Sequence, residues 1–598
     1  MSFSFRVQQG FWLILFLAVI IRLLYFFNIY DHPDFRHPGL DAGYHDYWAR
    51  GIAFDQWTPP DGQTDPLIRS QPFFRPPGYP YFLALVYRLT GGQPVPARLV
   101  QFALGVCNIA LLWLFARRWF GPRTALWAAS LAAIFWGFVY YEGELLEPAL
   151  LISLNWAFLI AMGYWLETRR SCWLIAAGLA LGASAVVRPN TLLFAPVAAV
   201  WLVWSLPSEH RRFRHAMAAA TCLGVGALLV VSPVALRNAI VGRDAVLISS
   251  NGGINLLLGQ AREAVASHAS DETGNWNCFD YPLLLAQASA KAGRTLKPSE
   301  VSRLYAAQAR TLAFSRPRET LRLLRLKTLL FWGPLHVSNN KVEELERRDS
   351  FVLSRLPLRF SFILATALFG IATLVRQPPP RSSAQMAVLL LAMVVTTFLS
   401  FLPFISAGQY RIPIVAVLLI FTGIGLDAIF HRLQAGRWRS AIIAGFAIVL
   451  VWLLVSPNYT GYCFSPARLH LARAIAAERD GNLPLAEADY LAAIQALPSL
   501  AVAHNRLGAL YARQERIPEA LSCFESAVAA DPASLDARSN LGLALALSGR
   551  EKEAIPHFEY VLSRNPAHAD ARHNLALARQ RISSRAPQAE RPQAPPSP

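Results

Sequence analysis

The sequence predicts an all-α protein in which a polytopic bundle of membrane helices is followed by an α-solenoid. Of its 598 residues, 54% are hydrophobic and the mean hydropathy is +0.32, which is too apolar for a soluble domain of this length. Apolar runs of membrane-spanning length fill residues 11–456 and then stop. A 34-residue period follows. We therefore expect a membrane domain over 1–456, a repeat domain over 467–580 and a disordered tail, rich in Pro, Ala and Gln, over 583–598.

About eleven segments are candidate spans, and two of them, 172–188 and 189–206, are short for a full crossing. Arg6 precedes the first segment and no small-residue cleavage site follows it, which indicates a retained anchor. Two further apolar helices, 77–90 and 319–333, are predicted to lie at the membrane interface. The candidate spans are 11–29, 95–116, 123–141, 148–166, 172–188, 189–206, 215–235, 353–375, 385–405, 412–430 and 440–456.

Arginine distribution predicts the orientation of the bundle. One set of short loops holds thirteen arginines, while the short loops on the other side hold only Arg188 and Arg411. The positive-inside rule then makes the N-terminus cytoplasmic and places the repeat domain and the long loops 30–94 and 236–352 outside. The same bias accounts for the net charge of +18. Since no basic stripe is interleaved with aromatic residues, we expect no nucleic-acid partner.

The C-terminal period is typical of tetratricopeptide repeats. Small residues recur where two helices touch, a large aromatic residue recurs on the second helix and a proline ends it, every 34 residues. A groove that binds a protein partner and a purely stabilising role are equally compatible with this pattern. The recurring residues are Ala486, Ala520 and Ala554; Tyr490, Phe524 and Phe558; Leu507, Leu541 and Leu575; Gly508 and Gly542; and Pro498, Pro532 and Pro566.

Six cysteines are scattered along the chain without any CxxC pair, so the sequence gives no support to a zinc or thioredoxin-like site. Cys278 and Cys463 both lie on the predicted outer side. A disulfide between them is one interpretation, and two free thiols is the other.

The most informative segment is Leu40 to Ala49, just outside the first span. On a helix, Asp41, Tyr44, His45 and Trp48 share one face. Asp41 then suits a general base with His45 beside it. The alternative is that Asp41 only caps a helix that starts at Ala42. Asp46 points to another side and is expected to be a solvated surface charge.

Three carboxylates, Glu142, Glu144 and Glu147, follow the third span with no basic neighbour in the sequence. Their carboxylates could bind a cation, accept hydrogen bonds from the hydroxyls of a sugar or orient a catalytic base. The alternative is that short outer loops simply tolerate glutamate, and for Glu142 this is our expectation. Glu147 opens the next span, where an idle charge is costly, so it is the strongest candidate for a role.

Arg75, Arg188 and Arg411 are outside-facing arginines that suit phosphate binding, because a guanidinium gives bidentate hydrogen bonds. Arg22, near the outer end of the first span, is a fourth candidate. The alternative for each is snorkelling at the interface. Asn251 lies in the Ser249 to Leu256 segment, whose Gly-Gly pair permits a tight turn or close approach to a ligand.

In order and spacing, four of these stretches resemble the GT-C membrane glycosyltransferases, in particular the family 39-like group of protein O-mannosyltransferases and aminoarabinose transferases. The likeness spans about residues 10–455. It implies a GT-C-type bundle, a polyprenyl-phosphate-linked sugar as donor and an acidic base in the first outer loop, which falls on Asp41. Relatives often carry a second acidic residue there, where this chain has Ala42, so the resemblance points to Glu144 or Glu147 instead. The stretches are Leu40 to Tyr44, Arg75 to Pro80, Arg237-Asn238 through Leu256, and Tyr410 to Pro413.

These observations predict an integral membrane glycosyltransferase that moves a hexosyl or pentosyl group from the lipid donor to an acceptor hydroxyl on the extracytoplasmic side, by a single inverting displacement. Asp41, Glu147 and Glu144 are the predicted catalytic residues, and Tyr44, His45, Arg75, Arg188, Asn251 and Arg411 the predicted substrate-binding residues. No cofactor is required, although a divalent ion held by His45 and Asp41 fits.

Protein, lipid and glycan acceptors all remain open, and a bacterial plasma membrane is the expected location. Two alternatives to a glycosyltransferase are a non-catalytic scaffold that presents the repeats and a flippase for lipid-linked sugars.

Overall fold

The structure is a computed structural model that describes residues 3–60, 63–207, 213–260, 269–270, 274–275, 278–337, 341–462, 466–566 and 568–585. It separates into two compact units, Met1–Cys463 and Phe464–Pro598. Four residues or stretches used in the sequence predictions lie outside the described residues: Arg211, Arg212, Cys463 and the tail from 586 onward.

The described residues of the first unit form twenty α-helices. They are α1 (Phe3–Ile29), α2 (Pro33–Arg36), α3 (Leu40–Phe54), α4 (Gly78–Thr90), α5 (Pro94–Phe120), α6 (Pro122–Ile134), α7 (Trp136–Gly143), α8 (Pro148–Thr168), α9 (Ser171–Val187), α10 (Phe194–Ser205), α11 (Phe213–Ile240), α12 (Gly252–Leu258), α13 (Tyr281–Ala292), α14 (Pro298–Ser315), α15 (Pro317–Trp332), α16 (Glu343–Asp349), α17 (Phe360–Arg376), α18 (Arg381–Phe401), α19 (Ile412–Gln434) and α20 (Trp438–Val455).

Short 3-10 turns cover Pro189–Leu193, Cys278–Asp280, Leu353–Arg355 and Gly408–Arg411. One antiparallel pair joins β1 (Ala269–Ser270) to β2 (Gly274–Asn275).

Each of the eleven predicted spans overlaps at least one α-helix. Among the described residues, seven helices are long and apolar enough to cross a membrane, and α6 with α7 makes an eighth if the bent pair is one span. Three shorter apolar helices, Ser171–Val187, Pro189–Ser205 and Phe360–Arg376, occupy the remaining predicted positions. The predicted fold class, an all-α membrane bundle followed by a helical repeat, is confirmed.

Two predicted spans differ from the helices found. The segment 123–141 bends by 52° at Phe135, where α6 ends and α7 begins. The segment 353–375 becomes helical only at Phe360, because Pro357 disfavours a helical conformation at Leu356. The bend at Phe135 sets the direction of α7 and of the carboxylates that follow it.

Close backbone contacts at glycines hold the membrane helices together. A Cβ added to Gly178 of α9 would lie 2.2 Å from the carbonyl oxygen of Leu223 on α11, and one on Gly226 of α11 would lie 2.3 Å from the carbonyl oxygen of Ile175. Neither helix can therefore carry a larger residue at the crossing. Small residues at helix contacts are the usual means of close packing in lipid, where no hydrophobic force drives helices together.

A similar contact brings two sequence-distant segments to the site. A Cβ on Gly78, the first residue of α4, would lie 2.6 Å from the backbone nitrogen of Val187, the last residue of α9. Arg75, three residues before Gly78, and Arg188, one residue after Val187, are thereby placed on neighbouring chain segments. The Gly78 position thus decides that two of the predicted arginines approach each other.

The second unit is a stack of helix pairs: α21 (Pro466–Arg479), α22 (Leu483–Ala496), α23 (Ala501–Arg513), α24 (Ile517–Ala530), α25 (Leu535–Leu547), α26 (Glu551–Arg564) and α27 (Ala569–Arg585). A Cβ on Gly508 or Gly542 would meet the ring of Phe524 or Phe558 at 2.8 Å, which explains why a small and a large residue recur together. Helix α27 runs to Arg585, three residues into the segment expected to be disordered.

Candidate functional site

Asp41 and Arg75 form the first ion pair of the site. Asp41 lies in the first turn of α3, whose N-cap position is Gly39, and its carboxylate accepts hydrogen bonds from both terminal nitrogens of Arg75, the Oδ2–Nη2 distance being 3.1 Å. The helix starts at Leu40 rather than Ala42, so the alternative in which Asp41 only caps the helix is wrong. Its carboxylate is 13% exposed and open to a reactant.

Two further side chains enclose this pair. The thiol of Cys278 lies 3.2 Å from Nη1 of Arg75 and 3.9 Å from Oδ1 of Asp41. The guanidinium carbon of Arg75 lies 5.8 Å from the ring centre of Tyr44, within cation–π range. Burial raises the pKa of the Cys278 thiol to about 12, although the nearby charge of Arg75 opposes this rise. The thiol is therefore neutral in the site.

Glu147 and Arg188 form the second ion pair. Glu147 precedes α8, Arg188 follows α9, and the two side chains are 14% and 9% exposed. Burial raises the pKa of Glu147, but the charge of Arg188 and its hydrogen bond to the carboxylate lower it by more, so the pKa of Glu147 lies below its ordinary value. Arg188 also lies over the rings of Tyr410 and Phe401, 4.9 and 5.4 Å from their centres, and these rings stack on each other at 4.4 Å.

His45 lies between the two ion pairs. It is 5% exposed, its ring packs 4.9 Å from that of Tyr79, and its Nδ1 lies 3.2 Å from the carbonyl oxygen of Leu145. Burial, together with the positive charge of Arg75, lowers the pKa of His45. In the neutral imidazole, Nδ1–H can donate a hydrogen bond to the carbonyl oxygen of Leu145. Nε2 is then left as a hydrogen-bond acceptor in the site.

A buried polar network on α5 fixes the loop that carries the glutamates. Arg98 donates to the carbonyl oxygen of Gly143, and Gln101 donates to the carbonyl oxygens of Glu142 and Glu144. Tyr79 of α4 in turn donates to Gln101. These bonds satisfy backbone groups that would otherwise be costly inside a membrane protein. They set the direction in which Glu147 enters the site.

A groove of about 530 Å³ opens beside Arg188. It runs between α8, α9, α10, α18 and α19, and most of its wall surface is apolar, although nine of its sixteen lining residues are polar, among them Asn155, Asn190 and Thr396. Nη1 of Arg188 is buried there without a hydrogen-bond partner among the described residues. Arg188 and Tyr410 therefore stand at the polar end of an apolar groove. The lining includes Leu151, Phe158, Leu181, Phe194, Met393 and Pro413.

Asn251 lies next to the Arg75 segment through its backbone. Its amide donates to the carbonyl oxygen of Phe74 at 3.1 Å, and its side-chain oxygen accepts from Ser249 at 3.0 Å. Gly253 is needed for packing, since a Cβ there would lie 1.8 Å from the carbonyl oxygen of Ser302. The Arg237 to Leu256 stretch thus holds the backbone next to the Arg75 to Pro80 stretch. The side chain of Asn251 is hydrogen-bonded to the nearby Ser249.

Arg411 is placed differently from the other predicted arginines. Its side chain is buried and donates to the carbonyl oxygens of Phe331, Gly333 and Leu335 at 3.2, 2.7 and 2.8 Å. These carbonyls belong to the last turn of α15 and the residues after it. In this arrangement Arg411 binds the end of a helix, and Arg75 and Arg188 are the arginines beside Asp41 and Glu147.

Glu142 and Arg22 pair with each other inside the bundle. Nε of Arg22 lies 2.7 Å from Oε2 of Glu142, and both residues are buried. The expectation of an idle loop glutamate is therefore wrong, because the bend at Phe135 turns Glu142 inward. A Cβ on Gly105 would lie 2.1 Å from the Glu142 carboxyl carbon, so α5 leaves space for it only at a glycine.

Glu144 forms an ion pair with Lys341 at 2.8 Å, next to α16. The structure thus brings Asp41, Tyr44, His45, Arg75, Glu147 and Arg188 together and places Glu144 beside Lys341. Sequence reasoning treated Cys278 only as a disulfide candidate and passed over Tyr410 as a contact of Arg188. The Tyr410 to Pro413 stretch was a signal for the latter, whereas nothing in the sequence around Cys278 indicates its partner.

Within the described part of the chain, no group of three His, Cys, Asp or Glu side chains is arranged to hold a metal ion. The site can do three things chemically. It can accept a proton at Asp41, it can neutralise an anion at Arg75 and Arg188, and it can hold an apolar chain in the adjoining groove.

Comparisons with known proteins agree with the two-part organisation. Residues 74–236 match the family model described as dolichyl-phosphate-mannose-protein mannosyltransferase, and residues 505–569 match a tetratricopeptide repeat model. The first match includes Arg75, Glu147 and Arg188 and excludes Asp41. No curated protein matches the chain.

Solved structures show distant similarity. An apo oligosaccharyltransferase from Archaeoglobus fulgidus is 16% identical, with a TM-score of 0.41, and the match covers 78% of this chain and 56% of that one, so the chain spans little more than half of its length. The Sgt2 tetratricopeptide domain from Aspergillus fumigatus is 20% identical, with a TM-score of 0.20, and covers 22% of this chain and 90% of its own.

The resemblance inferred from the motifs is therefore confirmed at the level of the family model. The match supports glycosyl transfer as the general class of activity. The chain is an integral membrane protein in which residues 74–236 are similar to the dolichyl-phosphate-mannose-protein mannosyltransferase family and the C-terminal part is similar to tetratricopeptide repeats.

Proposed function

We propose that the protein transfers a sugar from a polyprenyl-phosphate donor to an acceptor hydroxyl on the extracytoplasmic side of the membrane. One observation carries this proposal: an apolar groove inside the bundle ends at Arg188, beside the Glu147 carboxylate and near the Asp41–Arg75 pair. Such a groove suits an isoprenoid chain, and the arginine at its end suits the phosphate attached to it.

The donor phosphate would bind to Nη1 of Arg188, which has no hydrogen-bond partner among the described residues. Glu147 holds the other end of the guanidinium and so fixes its orientation. Arg75 supplies a second positive charge close by. Both arginines would stabilise the negative charge that grows on the phosphate oxygen as the bond to the sugar breaks.

Asp41 would act as the general base. Its carboxylate takes the proton of the acceptor hydroxyl while the hydroxyl oxygen attacks the anomeric carbon, and the polyprenyl phosphate leaves with the bonding electron pair. A single displacement of this kind inverts the anomeric configuration. Tyr44 and His45, on the same face of α3, border the space in which the sugar would lie.

Sidedness and partners belong to the same proposal. The arginine bias of the loops favours a cytoplasmic N-terminus and extracytoplasmic repeats, in a bacterial plasma membrane. The repeat groove would bind a protein partner, and a divalent ion near His45 and Asp41 remains compatible with transfer. Arg411 would contribute by holding the end of α15 near Tyr410.

The test is Asp41→Asn in the purified full-length protein, supplied with a panel of polyprenyl-phosphate sugars, with products identified by mass spectrometry. We expect transfer to fall by a factor on the order of 100 to 10,000, the usual contribution of a general base. Asp46→Asn is the matched control, because Asp46 lies on the same helix and binds Tyr87 and Arg50 instead. Full transfer by Asp41→Asn would refute the assignment. Movement of intact donor without product would favour a flippase.

A further inference from the structure

Three buried polar atoms in the wall of the apolar groove have no hydrogen-bond partner among the described residues. They are Oγ of Ser184, Nη1 of Arg188 and Oδ1 of Asn190. Ser184 is 2% exposed and Arg188 is 7% exposed. Leaving a buried polar atom without a partner is costly, so such atoms are normally paired in a folded protein. Three of them in the wall of one groove indicate that a polar ligand binds there.

Ser184 faces the groove from the same helix end as Arg188. The amide of Arg188 donates to the carbonyl oxygen of Ser184 at 2.7 Å, so the two residues lie one turn apart at the end of α9. A serine or threonine inside a helix commonly donates its hydroxyl to the carbonyl oxygen four residues earlier, as Thr373 does to Phe369 at 2.9 Å. Ser184 makes no such bond, so its hydroxyl is available to donate to a ligand in the groove.

The end of α18 fixes the orientation of the Asn190 amide. Its Nδ2 donates to Oγ of Ser400 at 2.7 Å, and Ser400 donates to the carbonyl oxygen of Thr397, also at 2.7 Å. Because a serine hydroxyl has a single proton, Ser400 accepts from the amide nitrogen and leaves Oδ1 of Asn190 unpartnered. This oxygen is a hydrogen-bond acceptor, so the ligand must supply a donor to it.

The unpartnered atoms define the chemistry of the ligand. Ser184 and Arg188 offer two hydrogen-bond donors, one of them charged, which suit the oxygens of a phosphate. Asn190 offers an acceptor, which suits a hydroxyl. The enclosed part of the groove holds only a few water molecules, so it takes a phosphoryl group and a neighbouring hydroxyl, and the rest of a sugar ring would lie outside it.

We infer that Ser184 is a second hydrogen-bond donor to the phosphate and that Asn190 selects a lipid phosphate with a hydroxyl beside it. This inference rests on the proposed function, because the ligand is the lipid donor proposed there. In a sugar phosphate, the hydroxyl on the carbon next to the anomeric carbon is the sugar donor nearest the phosphate. A phosphodiester without hydroxyls would leave the Asn190 oxygen unpaired, and a site built to bind a hydroxyl discriminates against a ligand that lacks one.

The experiment measures binding, so that it does not depend on transfer. Isothermal titration calorimetry of the full-length protein in detergent compares a short-chain polyprenyl-phosphate hexose with the methyl ester of the same polyprenyl phosphate. The two ligands share the chain and the charge, and only the first has hydroxyls. We expect the wild type to bind the hexose ester at least about tenfold more tightly, and Ser184→Ala to weaken the binding of both esters by at least about tenfold.

Variants of Asn190 test the selection. Asn190→Leu should weaken the binding of the hexose ester alone, so that the preference disappears. Asn190→Asp keeps an acceptor oxygen and should keep the preference, although its negative charge should weaken the binding of both esters. Thr373→Val is the matched control, because it removes a helix hydroxyl that is bonded within α17, outside the groove, and it should bind both esters like the wild type.

Equal binding of the two esters by the wild type, or an unchanged preference in Asn190→Leu, would overturn the role of Asn190. Unchanged binding by Ser184→Ala would overturn the role of Ser184. Size-exclusion profiles and melting temperatures separate lost binding from misfolding, and Asn190→Ala replaces Asn190→Leu if the latter does not fold. A wild type that binds neither ester would refute the proposed lipid donor itself. If the esters bind as expected while Asp41→Asn retains full transfer, the proposed base is wrong and the phosphate site stands.

Discussion

Arg188 offers the most direct test of the donor site, because its two terminal nitrogens have different environments. Nη2 pairs with Glu147, and Nη1 is buried at the end of the apolar groove without a hydrogen-bond partner among the described residues. Arg188→Lys keeps the positive charge but replaces the forked guanidinium with a single ammonium group. The variant can therefore still pair with Glu147, yet it cannot hold the carboxylate and a phosphate in the same geometry.

The size of the effect follows from the hydrogen bond to the phosphate that a lysine at this position cannot make. One charge-assisted hydrogen bond contributes about 1.5–3 kcal/mol. Since about 1.4 kcal/mol corresponds to a factor of ten in rate, kcat/KM for the lipid donor should fall about 10- to 150-fold. Part of the decrease should appear in kcat, because negative charge grows on the phosphate as the sugar departs. The remainder should appear as a higher KM for the donor.

Initial rates with a polyprenyl-phosphate sugar at several donor concentrations measure both parameters. Arg169→Lys is the matched control, because Arg169 follows the opposite end of α8, where it contacts the Trp165 ring and the Ser205 carbonyl oxygen. This control should retain wild-type rates. Wild-type kcat/KM in Arg188→Lys, or an equal decrease in Arg169→Lys, would refute the proposed phosphate contact.

Three further variants test other parts of the structure. Glu142→Gln leaves the buried Arg22 guanidinium without its counter-charge, so the protein should lose about 3–5 kcal/mol of stability. Thermal unfolding in detergent measures this loss, and an unchanged melting temperature would contradict the prediction. Gly508→Leu adds a Cβ 2.8 Å from the Phe524 ring and should destabilise the repeat unit by about 1–3 kcal/mol, visible as faster hydrogen exchange confined to that unit. Burial and the charge of Arg75 hold the pKa of His45 below its ordinary value, so the folded state binds this proton more weakly than the unfolded state. Lowering the pH from about 8 to 5 should therefore lower the wild-type melting temperature. The melting temperature of His45→Gln should depend less on pH, and an equal dependence would contradict the reasoning.

The candidate site could be predicted only in part. The helix over Leu40 to Trp48 and the grouping of Asp41, Tyr44 and His45 on one face followed from helical spacing alone, and the structure has them in α3. The partner of Asp41 did not follow, because Arg75 is 34 residues away and several arginines were equally eligible. Arg411 shows the difficulty most clearly, since its sequence context suits a phosphate and its side chain binds three backbone carbonyls.

For the glutamates after α7, too, the sequence predicted a role but not the partner. Their position next to a membrane segment made a role for Glu147 predictable, because an unpaired charge there is costly. Which arginine compensates each carboxylate depended on the 52° bend at Phe135. The bend lies at Phe135, between Ile134 and Trp136, and none of these three residues is a proline or a glycine. The residues at the bend therefore did not indicate it. Glu142 thereby pairs with Arg22, and Glu147 with Arg188.

By itself the sequence determined the division into a membrane bundle and a helical repeat, the eleven helical apolar segments and the 34-residue register of the soluble part. Hydropathy and periodicity are properties of neighbouring residues, so they can be read without knowing any distance across the fold. Only the tertiary structure decided which charges pair and which arginine faces the apolar groove. The energy of an ion pair or hydrogen bond depends on the separation of its partners in space, and helix crossings such as the one at Gly78 set that separation.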